Sequence, residues 1–192
     1  MNTNNYLDQV LVGILDLWSS PDLVNRSSLS KLTERVITCF KSSGTLAFAG
    51  NGGSAAESSH LAAEFTGKCL KVHKPWKALC LNDSASSITA ISNDFGFEET
   101  LARQSQALLQ KGDILIALST SGNSKNVVRL LSDAKSRGIY SLLWTGKTYD
   151  EKSNPAQASE IWKVQSAITS RIQEVHLFWG HLLAELIENN YE

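Results

Sequence analysis

The sequence contains few cysteines, no excess of positive charge and no long apolar run. Its three cysteines, Cys39, Cys69 and Cys80, show no C-x-x-C spacing, and their odd number argues against a disulfide framework. The formal net charge of −1 leaves no basic surface of the kind that binds nucleic acid or anionic lipid. We therefore expect neither nucleic acid nor a membrane among the partners of this chain.

The first residues also lack the features of a targeting segment. The stretch MNTNNYLDQVLVGILDLW has no positively charged region ahead of its apolar residues, as a signal peptide would have. Asp8, Gln9 and Asp16 interrupt those apolar residues, so the stretch is not expected to span a membrane. These features predict a cytoplasmic protein with free thiols.

Short apolar segments alternate with helical segments over most of the chain. Its 192 residues suffice for one α/β domain with a substantial core, and we assign 1–192 to that domain. Strands are predicted at 45–49, 76–81, 114–118, 139–144 and 160–164. Helices are predicted between and after them at 54–66, 84–92, 98–110, 124–137 and 169–188, with a polar loop at 92–96. The alternation predicts a three-layer α/β/α fold around a central five-stranded parallel sheet.

Two further helices precede the first strand. Apolar residues recur at helical spacing over 5–18 and again over 28–42. A three-layer fold does not need both, so these stripes either cover the sheet or pack against another copy of the chain. We assign 1–43 to an oligomer interface and 44–192 to the ligand-binding core. The last helix is apolar around much of its circumference, which also favours contact between chains.

A glycine-rich loop follows the first predicted strand. Gly50-Asn51-Gly52-Gly53-Ser54 lies between the apolar run 45–49 and a helix that begins near Ser54. Unpaired N–H groups and the helix dipole make such a loop a candidate anion site, although most glycine clusters are only turns. The loop matches neither the dinucleotide fingerprint nor a P-loop. On the helix that follows, His60 and Glu64 are four residues apart and share one face. This spacing is compatible with a metal site and with a solvent-exposed pair.

A hydroxyl-rich loop follows the strand predicted at 114–118. Hydroxyl groups occur at Ser119, Thr120, Ser121 and Ser124, and Gly122 allows close approach of the backbone. Such loops are often only caps and turns. This loop follows a buried strand and opens a helix, however, so it can offer a phosphate several converging donors.

Four separated segments carry a resemblance to a known family. AGNGGSAAESSHLAAEFTGK, ISNDFGFE, LSTSGNSKNV and RIQEVHLFWGHLLAELIE resemble segments of the bacterial phosphoheptose isomerases, which are sugar isomerase (SIS) domain proteins. The similarity covers essentially the whole chain. It implies a flavodoxin-like SIS fold, a homotetramer, and conversion of D-sedoheptulose 7-phosphate into D-glycero-D-manno-heptose 7-phosphate through an enediol. That reaction is the first step of ADP- or GDP-heptose biosynthesis for lipopolysaccharide or capsule.

The resemblance also implies roles for individual residues. It places one Zn²⁺ per subunit on His60, Glu64, Gln173 and His181, with Glu64 as catalytic base and His181 as catalytic acid. Substrate contacts are implied at Asn51, Gly52, Gly53, Glu64, Asn93, Asp94, Ser119, Thr120, Ser121, Ser124 and Gln173. Three features depart from the family pattern: Lys68, Ser170 and the turn Gly146-Lys-Thr-Tyr-Asp150.

Two questions stay open at this point. Gln173 and His181 are eight residues apart, a rise of about 12 Å along a helix, so their side chains either lean together or serve different subunits. The alternative function is a non-catalytic SIS protein that binds a phosphosugar or a replication regulator. His181 argues against it, because the replication-regulating relatives lack that histidine. Of the other histidines, His176 is predicted to be structural and His73 to lie at the surface.

Overall fold

The computed structural model describes residues 2–152 and 157–191. Five strands form the centre of the fold: β1 (Leu46–Gly50), β2 (Ala78–Cys80), β3 (Ile114–Leu118), β4 (Tyr140–Gly146) and β5 (Glu160–Val164). Seven α-helices accompany them in the described residues: α1 (Thr3–Trp18), α2 (Arg26–Lys41), α3 (Gly53–Thr66), α4 (Ala85–Phe95), α5 (Thr100–Leu108), α6 (Lys125–Ser136) and α7 (Thr169–Asn190).

The five strands form one parallel sheet in the order β2-β1-β3-β4-β5. Leu46 pairs with Ala78 of β2 and with Ile114 of β3, so β1 lies inside the sheet. This is the strand order of flavodoxin-like folds, and it changes direction between β1 and β3. The predicted three-layer fold with a five-stranded parallel sheet is confirmed.

Successive residues of the strands face opposite layers, and each layer has its own core. Phe48, Ile116 and Trp144 pack with side chains of α2, α3 and α7 on one face. Ala47 and Leu115 pack with α5 and α6 on the other. Because both faces are covered, the central strands are apolar at every position rather than alternating.

Two details differ from the predicted elements. Residues 92–95, predicted as a loop, form the last turn of α4, which ends at Gly96 with φ +89°. A left-handed residue stops a helix more effectively than the polar run before it, and only glycine adopts that conformation without strain. A 3-10 helix, Phe97–Glu99, then leads into α5.

His73 does not lie at the surface, and that prediction was wrong. Its side chain is only 10% exposed and lies 3.4 Å from a carboxylate oxygen of Glu188. The imidazole stacks on Trp76 with the ring centroids 3.6 Å apart. Glu188 also accepts hydrogen bonds from the backbone N–H groups of residues 69–71, so the end of α7 is fastened to the segment after α3.

The two termini of the fold differ in their packing. Of the side chains of α1, only Leu17 is buried, whereas α7 buries eight of its residues against the sheet and α3. His176 is one of these eight and lies beside Trp144 and Trp179, as a structural histidine would. Within residues 2–152 and 157–191, no helix combines the length and apolar character needed to cross a membrane.

Candidate active site

The two predicted loops follow β1 and β3, where the order of the sheet changes direction. The glycine loop, residues 50–53, leads into α3 on one face of the sheet. The serine loop, residues 119–124, leads into α6 on the other face. The two connections therefore diverge and leave a crevice at the carboxyl end of the sheet, which is the usual ligand site of such folds.

Close packing explains the glycines of the first loop. A Cβ atom on Gly50 would lie 2.6 Å from the carbonyl oxygen of Ser54, and one on Gly53 would lie 2.4 Å from Nε2 of Gln173. Gly52 has φ +55°, which L side chains rarely adopt. The loop therefore depends on glycine for both space and conformation.

Three asparagines, two of which the sequence did not single out, connect the glycine loop to neighbouring segments. The side-chain amides of Asn51 and Asn126 donate to each other over 2.8 Å, which joins the glycine loop to the start of α6. The side chain of Asn82 bonds both the N–H and the carbonyl group of Gly50. A side-chain hydrogen bond to a residue far away in the sequence leaves no local pattern, and for this reason Asn82 and Asn126 were not predicted.

Three predicted metal ligands meet in one chain. Nε2 of His60 lies 3.2 Å from a carboxylate oxygen of Glu64 and 2.8 Å from Nε2 of His181. One ligand atom from each of the three residues lies within 4.8 Å of the others. Two imidazoles and a carboxylate are ligands that zinc prefers, so the donor set and its spacing fit this ion. No second chain is needed to bring these three together.

Parallel packing of α3 and α7 produces this meeting. The amide of Gln173 lies 3.5 Å from the hydroxyl of Ser54, and His181 lies beside His60. Both helices therefore run in the same direction, with equivalent residues side by side. Gly180 makes the approach close, because a Cβ atom there would lie 2.2 Å from Leu61.

Gln173 lies at the level of the glycine loop. Its described contacts are Gly53 and Ser54, and Ser54 precedes His60 by six residues, or about 9 Å along α3. Within one chain, Gln173 and His181 therefore lie at different levels of α7, as their eight-residue spacing predicted. Gln173 lies beside the glycine loop, and its roles as a substrate contact and as a metal ligand both stay predictions.

Glu57, which the sequence did not mark, lies on the same side of α3. It is one turn before His60, and its Oε2 is buried without a hydrogen-bond partner in the described part of the chain. Burial raises the pKa of this carboxyl to about 7, and the Ser54 side chain offsets only part of that effect. A glutamate three residues before His60 becomes recognisable as a neighbour of the site only once the helix face is known.

The serine loop is ordered by its own hydroxyls and by β4. The N–H of Ser119 donates to the carbonyl of Trp144, and its hydroxyl donates to the hydroxyl of Ser124 over 3.3 Å. Ser121 accepts from the N–H of Asn123 and is exposed, while Thr120 is half-buried. Ser124 is the N-cap of α6 but makes no side-chain capping bond, so its hydroxyl remains available beside the helix N-terminus.

Asn93 and Asp94 lie in the last turn of α4, and both side chains are exposed. Their described hydrogen bond joins them to each other, with the Asn93 amide donating to the Asp94 carboxylate over 2.8 Å. The described hydrogen bonds link neither residue to the serine loop or to the three predicted metal ligands. Their substrate role stays a prediction.

Comparison with known proteins gives one consistent family. The sequence model of the SIS domain family matches residues 14–142. The chain is 41% identical over 155 residues to the phosphoheptose isomerase of Nitratiruptor sp. The aligned region covers 81% of this chain and 82% of that protein. It is 40% identical over 153 residues to the phosphoheptose isomerase of Aquifex aeolicus, and the aligned region covers 80% of this chain and 79% of that protein.

A solved structure agrees with these relatives. The phosphoheptose isomerase of Neisseria gonorrhoeae matches 98% of this chain and 100% of its own, with a TM-score of 0.87 and 28% identity. The family predicted from the four sequence segments is therefore confirmed. The chain belongs to the phosphoheptose isomerases of the SIS domain family and is an isomerase that acts on a phosphosugar.

Proposed function

We propose that this enzyme converts D-sedoheptulose 7-phosphate into D-glycero-D-manno-heptose 7-phosphate. The observation that carries the proposal is the convergence of Glu64 and His181 beside His60. A carboxylate and an imidazole at one point supply the base and the acid that a ketose–aldose isomerisation needs. As a heptose phosphate producer, the enzyme would act in the cytoplasm at the start of ADP- or GDP-heptose biosynthesis.

Glu64 is the base in this proposal. It takes a proton from C1 of the ketose and returns it to C2, so the reaction proceeds through an enediol without oxidation or reduction. Its side chain is 17% exposed, whereas that of His60 is 48% exposed. Partial burial restricts water around Glu64 while leaving room for the sugar.

His181 moves the hydroxyl protons. The imidazole donates a proton to O2 as the carbonyl becomes a hydroxyl, and it accepts the proton of O1 as the aldehyde forms. His60 lies 2.8 Å away and orients the ring of His181. Gln173, at the glycine loop, can bind hydroxyl groups in the middle of the sugar chain.

We propose Zn²⁺ as the cofactor, held by His60, Glu64 and His181 with Gln173 as the predicted fourth ligand. When bound, the ion supplies Lewis-acid polarisation of the sugar oxygens and stabilises negative charge on them. Glu64 would then be a ligand, a base, or each in turn, since direct ligation lowers the basicity of a carboxylate.

The serine loop is the proposed phosphate site. The hydroxyls of Thr120, Ser121 and Ser124 and the first N–H groups of α6 can converge on a phosphate without a basic side chain.

A non-catalytic phosphosugar-binding protein is the second candidate, and the serine loop alone would satisfy it. Such a protein needs no imidazole and carboxylate beside each other. The placement of His181 beside His60 and Glu64 therefore favours catalysis.

Incubation of the purified protein with sedoheptulose 7-phosphate, with and without a chelator, tests the proposal. We expect the aldose phosphate to appear, and Glu64→Gln and His181→Ala to abolish it while retaining the wild-type Tm of the metal-free protein. Absence of aldose phosphate from metal-loaded wild-type enzyme would refute the proposed reaction. Tight binding of the sugar without turnover would instead support the second candidate.

A further inference from the structure

The end of β4 supports the serine loop from behind. The carbonyl of Thr120 accepts a hydrogen bond from the N–H of Gly146 over 3.1 Å and one from the hydroxyl of Thr145 over 3.5 Å. The proposed phosphate site is therefore attached to the turn that follows β4. Movement in that turn would be transmitted to the loop.

Tyr149, in that turn, lies directly against the serine loop. A Cβ atom on Gly122 would lie 2.3 Å from Cδ2 of Tyr149 and 2.8 Å from its Cγ, so the ring covers the Cα atom of the glycine. Gly122 has φ +69°, and its N–H donates to the carbonyl of Ser119 over 3.0 Å. The ring therefore fills the space beside the residue at which the loop reverses direction.

The position of Tyr149 is itself fixed. Its ring is buried, with 2% of the residue exposed, although it belongs to a turn outside the strands. Its N–H donates to the carbonyl of Gly146 over 3.2 Å. Its own carbonyl accepts from Nζ of Lys163 in β5 over 3.1 Å, and the same ammonium lies 5.2 Å from the ring centroid.

We infer that Tyr149 is a positioning residue that shapes the serine loop for the phosphate of the substrate. This inference rests on the proposed function, because it takes the serine loop to be the phosphate site. In the described contacts, Tyr149 is connected to the proposed phosphate site through Gly122. Lys163, by holding Tyr149, acts one step further from the ligand.

Binding of inorganic phosphate, measured by titration calorimetry on the full chain, tests the inference alongside kcat for the sugar phosphate. Tyr149→Ala should weaken phosphate binding about 10-fold, the equivalent of losing one hydrogen bond to a charged group, while kcat changes far less. Tyr149→Phe keeps the ring and should bind as the wild type does. Tyr140→Ala, a truncation at the other end of β4, is the matched control and should leave phosphate binding unchanged.

A double-mutant cycle adds a second, independent measurement. Gly122→Ala should weaken phosphate binding strongly in the wild type, because its methyl group meets the ring, and less in the Tyr149→Ala background. If Tyr149→Ala does not fold, Lys163→Met replaces it and should weaken binding in the same direction.

The role of Tyr149 and the assignment of the serine loop as the phosphate site can fail separately. Wild-type phosphate affinity in Tyr149→Ala or in its Lys163→Met substitute, or strictly additive effects in the cycle, would overturn the role of Tyr149. Ser124→Ala is the reference, since it removes a hydroxyl from the proposed phosphate site itself. If Ser124→Ala also binds phosphate as tightly as the wild type, the phosphate site is elsewhere and the proposed function loses that part.

Discussion

At the scale of single residues, this chain contains histidines of very different character. His60 and His181 lie together at the crevice, with the imidazole of His60 about half exposed. His176 is fully buried between tryptophans, and His73 is stacked and close to a carboxylate. The residue type alone does not distinguish these roles, whereas the partner of each ring does.

Metal content is the first property that these differences predict. His60→Ala removes one of three converging ligands and should lower bound zinc at least 10-fold in protein dialysed against a limiting zinc buffer, because the remaining carboxylate and imidazole bind weakly. Elemental analysis of the dialysed protein measures the bound zinc. His73→Ala is the matched control and should retain the wild-type zinc content; equal zinc in His60→Ala and wild type would contradict the site.

The dependence of stability on pH is the second property that the histidines predict. Burial lowers the pKa of His176 to about 3, with a Thr145 backbone group offsetting part of the effect. Because the unfolded chain takes up this proton near pH 6.5 and the folded chain does not, stability is complete above that pH and falls as the pH falls. His176→Leu, of similar volume, should remove about 1.4 kcal/mol per pH unit from the slope of unfolding free energy between pH 4 and 6.

Urea unfolding at several pH values measures that slope. Near pH 7.5 the imidazole is uncharged in both the folded and the unfolded chain, so the variant and the wild type should show the same slope there. An unchanged slope below pH 6 would mean that His176 is protonated in the folded protein.

At the scale of elements, the sequence was sufficient for most of the fold. The apolar runs at 46–50 and 114–118 are buried throughout, so the strands and their parallel arrangement could be predicted. The end of α4 could not be placed, because it depends on the backbone conformation of Gly96 rather than on hydrophobic spacing. Contacts between distant segments, such as Asn51 with Asn126, also leave no mark in a local pattern.

The close contact between α3 and α7 leads to a third prediction. Gly180→Ala places a methyl group against Leu61, which is fully buried, and should push α7 away from α3. Overpacking of this kind costs about 1–3 kcal/mol, and it would also separate His181 from His60. We expect weaker zinc binding by competition with a chromophoric chelator.

Leu61→Val/Gly180→Ala is the compensated variant and should recover part of the lost affinity, because the shorter side chain leaves space for the methyl group. If Gly180→Ala binds zinc as tightly as the wild type, the spacing of the two helices does not control the site.

At the scale of the whole molecule, one chain leaves apolar side chains uncovered. On α1, Tyr6, Leu7, Leu11, Val12 and Leu15 are all more than half exposed. Such a face usually meets another protein surface, and we propose that it is the interface of the homotetramer predicted from the family resemblance, formed by residues 1–43. Leu15→Lys should shift the mass measured by light scattering towards smaller species. Leu108→Lys, at a similarly exposed leucine on α5, is the control and should keep the wild-type mass.

A hybrid experiment asks whether the catalytic pair is shared between chains. Glu64 and His181 lie together within one chain, so inactive Glu64→Gln co-refolded with inactive His181→Ala should give hybrids without activity. Every site in such a hybrid lacks one of the two groups. Return of activity in verified hybrids would place the two side chains in different subunits.

The parallel pairing of α3 and α7 has a consequence for the order in which the protein matures. His60 and His181 are separated by 121 positions, so a nascent chain that still lacks its last helix has only a histidine and a glutamate one turn apart. If the proposed site binds its ion through all three residues, that binding is a late event that follows docking of α7. Any metal that binds only the docked form adds its own free energy to that docking, about 2.7 kcal/mol at a hundred times the dissociation constant. In the cell, zinc supply would thereby influence how firmly the newly made chain closes, and not only how fast the finished enzyme turns over.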